Sequence, residues 1–227
     1  MPPDTRSFAD RLPGAPGRRG DAGAMVVLIG IAGGAAGFAA GRLGRLALCS
    51  MRRGVRPPRM WCEVAVGLLW VVVFVRVVTG MPLWWAAIPL ALGWFAVLLT
   101  VCDVLAERLP DVLTLPAYPV AAVLLTVAAL HRADVLLGAV AGVVVFAGTY
   151  LLVRVVSPGA MGPGDVKLAG SLGAVVGAVS LSAVLFVMAA AAALTLVAAL
   201  WTRLGGVPHG PAMLAPAWLV TAFAPWP

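Results

Sequence analysis

Two aspartates stand beside apolar runs: Asp103 in Val101-Cys-Asp-Val-Leu105, and Asp165 in Met161-Gly-Pro-Gly-Asp-Val-Lys-Leu168. A carboxylate at the centre of a bilayer costs about 2.5–3.5 kcal/mol on insertion scales, so such groups persist mainly where they act. Two carboxylates sharing a partly dry site do not both ionise easily, and one then holds a proton. The ionised member can take a proton from water as that water attacks a peptide carbonyl. The protonated member can polarise the carbonyl and then assist the leaving amine. This chemistry calls for no metal and no cofactor, and none is expected. The chain offers no HExxH, no GxSxG and no cysteine–histidine pairing as a rival, and His131 and His209 read as incidental.

The residues around each acid indicate how it is held. In Gly162-Pro163-Gly164-Asp165 the residue before proline is pushed away from helical angles, while proline itself suits a first helical turn. A helix is therefore expected from about Pro163, with Asp165 in its first turn, where the helix dipole favours an anion. Gly162 and Gly164 permit close approach of another backbone. Asp103 ends an apolar run that continues Glu107-Arg-Leu-Pro-Asp111, and Pro110 should stop that helix at or before Leu109. Asp103 is then one to two turns inside the helix, near its negative end, with Glu107 four residues on along the same face. On this reading Asp165 is the ionised base and Asp103 carries the proton. Asp111, before Val112-Leu-Thr-Leu, reads as the N-cap of the next helix.

The elements that must position these residues are membrane spans. Of 227 residues, 62% are hydrophobic and 11% charged, against about 25% charged in soluble domains. The fold class expected is an all-α, polytopic integral membrane protein with about seven or eight transmembrane helices. At about 20 residues per crossing, the candidates are 24–41, 61–79, 83–102, 112–130, 134–156, 166–178, 181–201 and 211–225. Seven results if the sixth and seventh form one broken helix. Residues 1–23, rich in Pro, Gly, Arg and Asp, read as a disordered tail ahead of a membrane domain at 24–227, with Met25 an alternative start. The net charge of +7 does not form a nucleic-acid surface. Its arginines gather at span ends, above all between Arg42 and Met60, which makes that loop cytoplasmic. Alternation brings Asp103 and Asp165, two spans apart, back to the same cytoplasmic face.

With both motifs on one face, the chain resembles the type IV prepilin peptidases, bacterial GxGD aspartic membrane proteases. Gly162-Pro-Gly-Asp165 meets the GxGD run. Asp103 with Arg108-Leu-Pro-Asp-Val-Leu-Thr114 meets the upstream motif. Weaker similarities lie at Gly33–Arg42, at Cys62-Glu63 and at Val207-Pro-His-Gly-Pro211. The resemblance implies a leader endopeptidase of the bacterial plasma membrane, with Asp103 and Asp165 catalytic and Gly162, Pro163 and Gly164 forming the active-site loop. Its implied partners are membrane lipid and prepilin or pseudopilin substrates, whose basic leader ends at a glycine before an apolar helix. Glu107 and Asp111 are then possible contacts for that leader. Full-length members carry two CxxC pairs after the first span, linked to zinc and to N-methylation. Here that loop holds only Cys49 and Cys62, so no methyl donor is assigned. Intramembrane acids also suit a proton-coupled small transporter, and an inactive pilus or secretion assembly factor is a further alternative.

Overall fold

The structure is a computed structural model that describes residues 17–51, 55–159, 161–202 and 209–224. The described residues form eight helices and no strand: α1 (Gly17–Ser50), α2 (Trp61–Val78), α3 (Leu83–Ala106), α4 (Asp111–Ala129), α5 (Asp134–Val156), α6 (Pro163–Gly177), α7 (Leu181–Thr202) and α8 (Gly210–Phe223). Six of them, all but α6 and α8, are long and apolar enough to cross a membrane. This is a multi-pass membrane protein. α6 and α7 are separate helices, with a break over residues 178–180. α1 begins at Gly17, inside the stretch expected to be disordered, while residues 1–16 lie outside the described residues, as do Arg52, Arg53 and residues 203–208.

Two hairpins pack along seams of glycine. A methyl group at Gly41 on α1 would lie 2.5 Å from the Cys62 carbonyl oxygen of α2. One at Gly173 on α6 would lie 2.6 Å from the Gly142 carbonyl oxygen of α5. No side chain fits at such spacing, so the backbones themselves make the van der Waals contact, the usual solution where lipid removes the hydrophobic drive between helices. At the connected end of the first hairpin, Glu63 is buried and accepts a 2.6 Å bond from Arg45 Nε.

α3 is the central span, with buried positions along its length from Trp85 to Asp103. α8 lies against it, tied by the Trp218 indole donating to the Pro89 carbonyl (2.9 Å) and the Trp85 indole donating to the Thr221 carbonyl (2.9 Å). Arg76, at the end of α2, donates to the Ala222 carbonyl at 3.2 Å and fixes the same end of α8. His131 stacks on Trp84 at the start of α3, which sets it at the end of the bundle opposite Asp103.

α6 and α8 are the short helices, 15 and 14 residues. At 1.5 Å per residue they fall about 8 Å short of the roughly 30 Å apolar thickness of a bilayer. They remain stable because neighbours enclose them: α6 is buried at nearly every position from Leu168 to Gly177. The first residue of α8, Gly210, lies against Asp103 in the last turn of α3, and Asp165 at the start of α6 is within electrostatic reach of Asp103.

Candidate active site

Asp165 is the third residue of α6, which starts at Pro163 as expected. Its Oδ2 accepts the Gly162 N–H at 3.2 Å, so the carboxylate closes back over its own helix start. Arg154, in the last turn of α5, donates to the Met161 carbonyl at 2.8 Å and holds the chain that enters this turn. Gly164 is small for a packing reason: a methyl there would lie 2.9 Å from Leu109 Cβ. The upstream motif thus contributes its leucine directly to the seat of the downstream one.

Asp103 is buried in the last turn of α3. α3 ends at Ala106, earlier than Pro110 alone required, because Glu107 takes left-handed angles (φ 50°, ψ 36°) and its N–H closes on the Asp103 carbonyl at 2.9 Å. That turn takes Glu107 off the Asp103 face and leaves it exposed. The Asp103 carboxylate faces α8, where Oδ2 accepts the Gly210 N–H at 2.9 Å. Gly210 is the first residue of α8, and a methyl on it would lie 2.8 Å from that oxygen. Both acids therefore face the N-terminus of a short helix. Asp165 has the N-terminal end of its own helix, as expected, whereas Asp103, in the last turn of α3, gains the N-terminal end of α8 as a neighbour.

Asp111 also departs from expectation. Pro110, not Asp111, precedes the first helical residue of α4, and Asp111 makes no capping bond there. Its Oδ1 instead accepts a 2.7 Å bond from Lys167 Nζ, joining the starts of α4 and α6. The Tyr118 hydroxyl makes a second tie between these helices, donating to the Lys167 carbonyl at 2.5 Å. A cleft of about 480 Å³ opens here, lined by Arg108, Leu109, Asp111, Pro163, Gly164 and Lys167 among others.

His209 is the residue that sequence reasoning passed over. It immediately precedes α8, half-buried and not incidental, with Nε2 3.1 Å from the Tyr150 hydroxyl and Nδ1 2.6 Å from the Thr195 hydroxyl. Both Asp103 and Asp165 are within its electrostatic reach, and Asp103 feels Asp165 as well. Burial pushes the imidazole below the ordinary histidine value although both acids pull the other way. The available signal was the small motif Val207-Pro-His-Gly-Pro211, set at the start of a span on the same face as the dyad.

Residues 90–200 match the model of the type IV leader peptidase family. This stretch of the chain is what is similar to that family. It contains both motif aspartates, the Gly162–Gly164 turn, Tyr150 and Thr195, while His209 and Gly210 lie beyond it. Neither the curated proteins nor the solved structures give a match to the chain. The match supports a leader-peptidase function in general.

Proposed function

We propose that this membrane protein is an aspartic endopeptidase that removes the basic leader from type IV prepilin-like proteins at the cytoplasmic face of a bacterial plasma membrane. The observation that supports the reading is that Asp103 lies within electrostatic reach of Asp165, each with its carboxylate against the start of a short helix. The ionised member of the pair takes a proton from water, whose oxygen bonds to the carbonyl carbon of the scissile peptide. The protonated member gives its proton to the carbonyl oxygen, which yields a neutral tetrahedral diol. The proton taken from water then passes to the amide nitrogen and the C–N bond breaks. The other carboxylate recovers a proton from the diol, leaving a carboxylic acid and an amine. The apolar helix of the substrate stays in lipid while its leader remains in water, so a junction near the interface suits acids held at the end of the bundle.

Glu107 and Asp111 remain the proposed leader contacts, but unequally. Asp111 is already neutralised by Lys167, so Glu107 supplies more of the attraction for basic leader residues. Glu107→Gln should raise KM more than Asp111→Asn does, and equal, unchanged KM values in both would remove this assignment.

Coexpression with a candidate prepilin, read as leader removal on a gel, tests the whole proposal. Asp103→Asn and Asp165→Asn should each abolish cleavage while the protein still accumulates in membranes. Normal cleavage by either variant rules out the dyad.

A further inference from the structure

His209 is the ionisable group beside the two acids for which the peptidase reading has no task. It adjoins Gly210, whose N–H is the donor to Asp103. Its ring is clamped between two hydroxyls from different helices, Tyr150 on α5 and Thr195 on α7. Thr195 Oγ1 also lies 2.9 Å from the Ala191 carbonyl, one turn back on α7. A hydroxyl has one proton, and a carbonyl only accepts. The Thr195 proton therefore goes to Ala191, and His209 Nδ1 must be the donor to Thr195. A neutral ring has one N–H, so Nε2 is the acceptor and the Tyr150 hydroxyl donates to it. The Thr195 bond fixes a proton on Nδ1, and burial favours the neutral ring. Together they give a neutral Nδ1–H tautomer whose bonds run in one direction, from Tyr150 through His209 and Thr195 to Ala191.

A proton on Nε2 would break this order, because Tyr150 would have to accept where it now donates. Among the described residues, the groups around the ring are Tyr150 on α5, Thr195 on α7, Asp103 on α3 and Asp165 on α6, and the two acids are the charged ones. An imidazolium there would favour both carboxylates as anions, and would remove the proton that the pair must share. We propose that His209 is a positioning residue for the Asp103–Asp165 pair: its neutral ring holds the 209–210 turn so that the Gly210 N–H stays on Asp103, and its protonation turns the pair off. This rests on the peptidase reading above.

Two experiments test it. In full-length protein carrying His131→Gln, ¹⁵N-histidine NMR in micelles reads His209 alone and needs no activity. A neutral Nδ1–H tautomer at pH 7 is expected; an Nε2–H tautomer or an imidazolium overturns the proposal. Cleavage of a prepilin against pH is the second. The wild-type acid limb should lie below the ordinary histidine value of about 6.5. His209→Gln keeps a donor and an acceptor but does not titrate. It should lower kcat severalfold with KM unchanged, and move the acid limb down by about one pH unit or more. His209→Phe should lose about 100-fold in kcat. An acid limb unmoved in His209→Gln overturns the proposal. Absence of cleavage by the wild type defeats the peptidase reading instead, and the NMR tautomer still decides the role of His209.

Discussion

Asp165 takes its backbone hydrogen bond from Gly162, three residues before it, whereas Asp103 takes its bond from Gly210, at the start of α8 on the far side of the chain. The first is a local capping contact that can form as soon as α6 does. The second exists only when α3 and α8 are docked. The two halves of the pair thus differ in what can disturb them. Asp165 depends on the loop that enters its helix, and Asp103 depends on the whole packing that sets the depth of α8. His209, one residue before Gly210, lies on the side of the comparison that requires assembly.

The strongest way to break this comparison is at the acids themselves. Asp103→Asn and Asp165→Asn should each cost at least about 1000-fold in cleavage, with membrane accumulation intact; loss from only one of them would end the idea of a shared proton. Next come the two donors. In Gly210→Ala the added methyl would press on the Asp103 carboxylate at 2.8 Å inside a buried seam, and kcat should fall about 100-fold. Gly162→Ala meets Asp165 Oδ2 at 3.1 Å at an exposed turn, and only a few-fold loss is expected. The reverse ranking in steady-state kinetics would mean that the local cap, not the tertiary one, is the sensitive element.

Smaller effects sharpen the link between the motifs. Gly164→Ala crowds Leu109, and overpacking of this kind costs about 1–3 kcal/mol. Thermal unfolding in detergent should show that loss, and a second substitution, Leu109→Ala, should recover part of it. If it recovers nothing, the contact between the two motifs does not govern the start of α6. The smallest change is expected at the exposed Asp111–Lys167 pair: Lys167→Gln should cost below about 1 kcal/mol in the same measurement, and less still at high salt. A larger loss would show the pair holding α4 to α6 more firmly than its exposure suggests.

Much of the fold was legible because lipid imposes a simple rule. The apolar lengths between polar breaks, read against bilayer thickness, gave eight helices whose bounds differ from those observed mainly at α1, which runs from Gly17 to Ser50 rather than over 24–41. α3 ends within the limit that Pro110 sets, and its last residue is fixed by Glu107, which adopted a left-handed turn that non-glycine residues enter rarely. Asp111 was misread. A capping residue and an ion-pair partner look alike in sequence until Lys167 is seen to lie opposite. His209 was missed because a histidine beside a glycine in a loop carries no periodic signal.

By itself, then, the sequence determined the span pattern, the common side of Asp103 and Asp165, and the start of α6 at Pro163. All of these follow from short-range constraints: the length of apolar runs, the stereochemistry of proline, and the side preference of arginine. Only the tertiary structure decided that α8 starts beside Asp103, that Gly210 donates to it, and that Tyr150 and Thr195 clamp His209 within electrostatic reach of both acids. These contacts join residues far apart in the chain, and their geometry depends on how deep two short helices sit among longer ones. Hydropathy measures whether a segment belongs in lipid; it does not measure the depth at which a neighbour will hold it.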